Sequence, residues 1–328
     1  MIVVTGAAGF IGSCVLAELE ARGYDDLVVV DFFSTDDRWK NIAKRRIEAV
    51  VHPFELLEFL NKNVEKVDAI IHMGAISATT ELDIDRLIQQ NVSYTNDLWD
   101  WCTTHKKRII YASSAATYGD GDAGFEDDWS SAALAKLQPL NAYGWSKHVV
   151  DRRFVHHVES GRPAPAQWVG LKFFNVFGPN EYHKDDMRSV IEKLFRSVQN
   201  GEPIRLFKSY KKEFPDGGQQ RDFVYVKDCV NVILWLLEND RVNGLYNVGT
   251  GQSRSFIDLV TSLGAALDKT LTPEFIDMPD GLKERYQYYT KADMAQLRAA
   301  GCDVEFMSLE EAVDDYVRHH LASPDPYL

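Results

Sequence analysis

The sequence predicts an α/β protein with a doubly wound parallel sheet and a smaller C-terminal substrate-binding lobe. Three observations carry this. Apolar runs of strand length alternate with helix-length segments from the first residues onward. The first run, Ile2-Val3-Val4, passes directly into a turn rich in glycine, Gly6-Ala7-Ala8-Gly9-Phe10-Ile11-Gly12. Another run ends in polar residues, Ser113 and Ser114, at the edge where open parallel sheets bind their ligands.

Composition sets the outer bounds. With 328 residues, 45% of them hydrophobic, the chain can bury a large core. A formal net charge of -13 disfavours a general polyanion binder, because nucleic-acid affinity depends on neutralising phosphates with Lys and Arg. A local basic pocket for a small phosphorylated ligand is compatible with it. Cys14, Cys102, Cys229 and Cys302 are scattered without a CxxC pair, which predicts reduced thiols and no structural zinc. The opening apolar run lacks a basic region before it and ends at Gly6, too soon for a signal peptide or a span. A cytoplasmic protein is expected, with neither nucleic acid nor membrane as partner.

Taken in order, residues 2–4 read as a buried parallel strand, residues 6–12 as the turn and residues 13–22 as the following helix. Glycines let a backbone bend sharply and approach a pyrophosphate, whose charge meets free amides and the positive end of the helix. Gly6, Gly9, Phe10, Ile11 and Gly12 are therefore the first candidates for binding a dinucleotide, on a Rossmann-like fold. The second strand, residues 27–30, ends at Asp31, at about the twenty-residue interval where an acid meets the adenosine ribose. Taken alone, Asp31 points to NAD. Arg38 and Lys40 in the same loop suit a 2'-phosphate and favour NADP, so the residues themselves leave the choice open.

Residues 67–72 form the next apolar run and enter Met73-Gly74-Ala75-Ile76-Ser77, a small-residue stretch suited to a loop passing beneath a cofactor. A helix is expected over 85–101, carrying Asn91 as a bridge between loops. A core strand over 108–112 delivers Ser113 and Ser114, and a further strand is expected over 167–174. Tyr143 and Lys147 lie four apart, one turn above each other on a helix, so their head groups converge. An ammonium beside a phenol favours the phenolate, which can take a proton from a substrate hydroxyl as hydride leaves the same carbon. Farther on, strand and helix return over 223–226 and 227–238, another strand over 244–250, and helices alternating with short strands from Ser255. The expected division is a dinucleotide-binding domain of residues 1–174 and 221–249, and a substrate lobe of residues 175–220 and 250–328.

The glycine turn, Ser114 and the Tyr143/Lys147 pair together resemble the extended short-chain dehydrogenase/reductase family. That resemblance implies that Ser114 orients, Tyr143 exchanges a proton and Lys147 lowers the tyrosine pKa while holding the nicotinamide ribose. Ala115-Ala116-Thr117 lacks the Asp-Glu pair that 4,6-dehydratases use, so dehydration is disfavoured. Lys172-Phe173-Phe174-Asn175-Val176-Phe177-Gly178-Pro179, Glu181-Tyr182-His183-Lys184, Arg221-Asp222-Phe223-Val224-Tyr225-Val226 and Leu282-Lys283-Glu284-Arg285-Tyr286-Gln287 narrow it to the ADP-heptose 6-epimerase branch of the nucleotide-sugar epimerases. What this branch implies is inversion at C6 of an ADP-linked heptose through transient oxidation, on the route to the lipopolysaccharide core, by a homo-oligomer of which pentamers are one form.

Inversion needs hydride to leave one face and return to the other, so the ketone oxygen must meet a proton donor in each orientation. The resemblance supplies Lys184 as the second donor and adds Asp31, Phe32, Arg38, residues 73–77, Asn91 and Val176 to the cofactor set. It gives Ser114, Asn175, Asp186, Lys193, Phe207, Lys208, Ser209, Arg221 and Tyr286 as substrate contacts. Three departures bear on the cofactor: Phe32 stands where the family often has a small polar residue, Pro53 where it has a lysine, and Arg38 where a lysine meets the 2'-phosphate. NADP is expected, with NAD as the alternative. Asp186 replaces a frequent serine. Other readings of the chain are an epimerase acting at C4 and a non-catalytic NAD(P)-sensing protein.

Overall fold

The computed structural model describes residues 1–283 and 286–328. Seven strands form its main sheet: β1 (Ile2–Thr5), β2 (Leu27–Val30), β3 (Ala49–Val51), β4 (Ala69–His72), β5 (Arg108–Ser114), β6 (Gln167–Phe173) and, later in the chain, Gly244–Val248. All pair in parallel, in the order Gly244–Val248, β6, β5, β4, β1, β2, β3. The chain reverses its direction of travel between β1 and β4. A crevice at such a switch point is where open sheets of this kind bind ligands.

Parallel pairing needs crossovers, and helices supply them: α1 (Phe10–Ala21), α2 (Leu56–Lys62), α3 (Ile84–Leu87), α4 (Tyr94–His105), α5 (Ser131–Leu134) and α6 (Ala142–Glu159). The strand residues alternate between two cores. Ile2, Val4, Leu27, Val29 and Ile71 pack with Cys14 and Leu16 of α1, whereas Val3, Val28, Val30, Ile70 and Ile109 pack with Leu60, Trp99 and Phe154. Period-two burial on both faces is why these strands read as continuous apolar runs.

Beyond β6 come β7 (Asn175–Phe177), α7 (Val190–Gln199), β8 (Arg205–Phe207), β9 (Gln220–Arg221), β10 (Phe223–Tyr225) and α8 (Val226–Glu238). The seventh sheet strand, β11 (Gly244–Val248), is followed by β12 (Arg254–Ser255), α9 (Phe256–Ala266), β13 (Glu274–Ile276), α10 (Asp280–Lys283), α11 (Ala295–Ala299) and α12 (Leu309–Tyr316). Three two-stranded sheets, β7 with β10, β8 with β13 and β9 with β12, lie outside the main sheet. The apolar side chains Leu194, Leu259, Val313 and Tyr316 join the α1 core without a break.

Several boundaries differ from expectation. The helix expected over 85–101 is longer and interrupted by a wider π turn, Ile88–Ser93, between α3 and α4. β3 was not anticipated, because three residues at a sheet edge leave too little periodicity to detect. After Ser255, β13 is the one strand among the described residues, so helix dominates there. Glu284 and Arg285 of the quoted motif lie outside the described residues.

Trp99 is fully buried and stacks on Phe154 with ring centroids 3.8 Å apart, joining α4 to α6. Trp99→Ala is expected to lower unfolding free energy by about 3–5 kcal/mol, measured by denaturant titration.

Candidate active site

Two turns meet backbone to backbone at the switch point. Gly6, at φ 62°, leaves β1 so close to Gly74 that a Cβ on it would stand 2.6 Å from the Gly74 Cα. A Cβ on Gly12 would stand 2.1 Å from the Gly6 carbonyl oxygen. α1 begins beyond Gly9 with no side chain capping it and no acid in its first turn, so its amide end faces open space. This is a cradle that side chains would fill.

The cradle opens into a cleft of about 670 Å³ lined by Gly6, Gly9, Phe10, Ile11, Gly12, Asp31, Phe32, Arg38, residues 73–77 and Lys184. Asp31 ends β2, buried, and accepts the amides of Ala8 at 2.8 Å and Phe32 at 2.7 Å. Burial pushes its carboxyl up, while those amides and Arg38 pull it down. The Arg38 guanidinium lies 2.6 Å from Asp36 and 3.4 Å from Asp31. Sequence reasoning missed Phe54 and His183 in this wall. Phe54 gave no signal, and its ring packs edge-on with Phe32 and His52 at 5.3 Å and 5.1 Å.

Asn91 belongs beneath the cleft, not in its lining. It is fully buried; its carbonyl accepts the Ile76 amide at 2.8 Å, and its NH2 donates to the Ile76 carbonyl and the Ser146 hydroxyl, each at 3.0 Å. It therefore clamps residues 74–77 to α6.

A second cavity, about 360 Å³, shares Phe10, Met73 and Lys184 with the first and is lined also by Ser114, Tyr143, Lys147, Asn175 and Val176. Val176 thus lies in this pocket and not in the larger cleft. The N-terminus of α6 presses on the turn after β5: a Cβ on Gly144 would lie 2.6 Å from the Ala116 carbonyl oxygen, and Asn141 caps the helix by accepting the Gly144 amide. That contact sets Tyr143 beside Ser114 in the pocket. Burial pushes the phenol up, and the Ser114 bond opposes it. Lys147 is buried, which pulls its amine down to about 8 against the attraction of Asp151.

Lys184 enters the same pocket from a loop, its amine 5.3 Å from the Phe10 ring centroid. Burial lowers its pKa, and Glu181 works against that. Glu181 ties the loop down by accepting bonds from Ser189 at 2.7 Å, Tyr316 at 3.0 Å and the Gly178 amide at 3.3 Å. Two groups able to exchange a proton, from separate elements, therefore line one pocket.

Other candidate residues are not brought into either cavity. Asp186 and Lys193 are exposed, the Lys193 amine donating to the Asp186 backbone carbonyl. Arg221 is buried between rings, its guanidinium 5.1 Å from Tyr286 and 5.8 Å from Phe256, with Phe207 edge-on to Tyr286 at 6.2 Å. Phe256 also lines the reacting pocket, so this shelf adjoins it. Lys208 pairs with Asp277 at 3.4 Å, and the Ser209 hydroxyl donates to the Lys211 carbonyl.

Residues 2–249 match the family described as the NAD dependent epimerase/dehydratase family. The chain belongs to that family. It is similar to the ADP-L-glycero-D-manno-heptose-6-epimerase of Nitratidesulfovibrio vulgaris strain DP4, 48% identical over 330 residues, all of both chains. The protein of the same name from Fusobacterium nucleatum is 46% identical over 336 residues, again covering both chains entirely. The crystal structure of Helicobacter pylori ADP-L-glycero-D-manno-heptose-6-epimerase superposes with a TM-score of 0.79 at 27% identity, covering 97% of this chain and 95% of that one.

A nicotinamide dinucleotide is the cofactor this family uses, and the residues fit it: a side-chain-free cradle, an open helix N-terminus and an acid at the end of β2. Gly12→Ala places a methyl against the Gly6 carbonyl, so cofactor content after purification should fall at least about tenfold and unfolding free energy by about 1–3 kcal/mol. Absorbance of the released cofactor and thermal unfolding measure both.

Proposed function

We propose that the protein interconverts ADP-D-glycero-D-manno-heptose and ADP-L-glycero-D-manno-heptose by transient oxidation at C6. The observation that carries this reading is the single pocket faced by Tyr143 and Lys184 beside the dinucleotide cleft. A simple dehydrogenase needs one proton carrier; an epimerase needs one for each face of the ketone. The bound nicotinamide supplies reversible hydride exchange at C6. Tyr143 takes the hydroxyl proton of one epimer, with Ser114 orienting the oxygen and the Lys147 ammonium stabilising the phenolate. Lys184, its amine drawn toward neutrality by burial, serves the oxygen of the other epimer. Asn175 and the shelf of Arg221, Tyr286 and Phe207 receive the sugar nucleotide, a guanidinium between aromatic rings being suited to a diphosphate. The lobe of residues 175–220 and 250–328 is the substrate side of this cleft.

Arg38 led to the expectation of NADP, but the charge balance at the ribose end supports NAD. Arg38 already faces two carboxylates, Asp31 and Asp36. A 2'-phosphate adds roughly 1.5 to 2 negative charges to that group. Pro53 provides no cation to offset them, and Phe32 and Phe54 present apolar rings instead. The resemblance further supports a cytoplasmic homo-oligomer serving lipopolysaccharide core synthesis; no helix among the described residues is long and apolar enough to cross a membrane.

Incubating the pure protein with ADP-D-glycero-D-manno-heptose and following C6 stereochemistry by NMR should reach a mixture of both epimers; an unchanged substrate would remove the proposal. Conversion of a UDP-hexose at C4 in its place would favour the C4 epimerase. Tyr143→Phe and Lys184→Met should each slow epimerisation by about 10²–10⁴-fold with cofactor still bound. A Lys184→Met protein of full activity would take Lys184 out of the mechanism. Cofactor released by denaturation should be mainly NAD by mass spectrometry, and mainly NADP would reverse the assignment.

A further inference from the structure

Behind the reacting pocket lies a buried charge cluster that the mechanism above does not use. Asp151 stands one helical turn beyond Lys147 and two beyond Tyr143, on the same stripe of α6, with no exposed surface. Each carboxylate oxygen accepts one hydroxyl from β5: Tyr111 at 3.0 Å and Ser113 at 2.6 Å. Tyr111 and Ser113 are two apart on the strand and share a face, while the next residue, Ser114, turns into the pocket. Lys172 is opposite Ser113 in the β5–β6 register, fully buried, its amine 4.3 Å from the Tyr118 ring centroid.

We propose that Asp151 is a positioning residue for the redox centre: it fastens the helix carrying Tyr143 and Lys147 to the strand carrying Ser114, and supplies the buried negative charge that faces Lys147 and Lys172. This rests on the reading that Lys147 serves the redox step.

The geometry gives the fastening directly: two hydroxyl bonds tie α6 to the end of β5. The charge argument follows from what else is present. Burial pushes Asp151 up, and Lys172, the two hydroxyl bonds and Lys147 pull it back toward the carboxylate. Asp127 is the second acid beside Lys172, pushed up to about 6 by its own burial. The neighbouring imidazoles are neutral near pH 7, burial holding His72 at about 3 and His148 at about 4. Tyr111 and Tyr118 are kept protonated by burial, and Tyr143 is pushed up likewise. Asp151 is thus the acid whose charge acts on Lys147 to keep it an ammonium. Without it, Lys172 keeps Asp127, and Lys147 is left with burial alone.

The test reads Lys147 itself in the holoenzyme, by 13C NMR of ε-labelled lysine, its signal assigned by disappearance in Lys147→Met. Asp151→Asn keeps the side-chain size and both partners, because hydroxyls accept as well as donate. Its Lys147 midpoint should fall by about one pH unit, with the alkaline limb of epimerisation moving down alongside it. Asp151→Glu restores the charge and should return the midpoint toward the wild-type value, a rescue that a merely structural role does not produce. A folded, cofactor-loaded Asp151→Asn protein with the wild-type midpoint overturns the inference. Where Asp151→Asn fails to fold, Ser113→Ala decides: it removes one hydroxyl bond that holds Asp151 as a carboxylate, so the midpoint should fall, and an unchanged or raised midpoint overturns the inference. A midpoint that moves while the epimerisation profile stays fixed upholds the inference and instead removes Lys147 from the proposed chemistry.

Discussion

The arrangement depends on one close approach: the turn after β1 lies against the turn after β4 with no side chain between them. Gly6 and Gly74 make that contact, and a Cβ at either would stand within 3.0 Å of the other turn's backbone. From there a line of buried hydrogen bonds runs to the chemistry. Thr5 accepts the Gly74 amide, Asn91 holds Ile76 by both its amide and its carbonyl, and the same Asn91 donates to Ser146. The Ser146 hydroxyl then donates to the Tyr143 carbonyl at 2.7 Å. The cleft floor and the helix bearing Tyr143 and Lys147 are therefore registered to each other by polar groups shielded from water, where a lost partner is costly.

Local electrostatics run against the global balance. A chain of net charge -13 buries Lys147, Lys172 and Arg221 and draws Lys184 largely out of water. Burial lowers the pKa of all four. Desolvation of a cation in this way costs several kcal/mol per group unless an acid or a ring stands nearby. Here each has one: Asp151 and Asp127 for the lysines of the cluster, Glu181 and the Phe10 ring for Lys184, and two rings for Arg221.

Much of this was legible in the sequence where the signal is local. The glycine turn, the strand ending at Asp31 and the spacing of Tyr143 and Lys147 each sit within a few residues, so spacing alone exposes them. What was missed is joined across long stretches of chain. Asn91 was expected to bridge loops and does hold Ile76, fifteen positions away, but its bond to Ser146 of α6, fifty-five positions away, is invisible in a helix read by itself. Asn41 passed unnoticed for the same reason, though it ties the glycine turn to the Lys184 loop through the Ala8 and Asn180 carbonyls. Asp151 looks like an ordinary polar residue in a helix until the fold sets β5 against it. Asp186 and Lys193, to which resemblance pointed, stand outside both cavities on the outer surface, joined by a hydrogen bond.

The two proton carriers of the proposed mechanism are mounted differently, and the difference bears on inversion. Tyr143 sits on α6, an eighteen-residue helix capped by Asn141 and pinned by Gly144 against Ala116, so its position is set by regular structure. Lys184 sits on an irregular loop held by buried polar contacts of Glu181, Asn180 and Asn41. A loop fixed by side chains brings its lysine to the pocket that Tyr143 also lines. A second helix there would supply the amine with equal rigidity but would close the space in which the ketone presents its other face. The epimerase reading therefore calls for one carrier on a rigid wall and one on a tethered arm, with the Phe10 ring at the mouth of the cradle marking where the arm comes to rest.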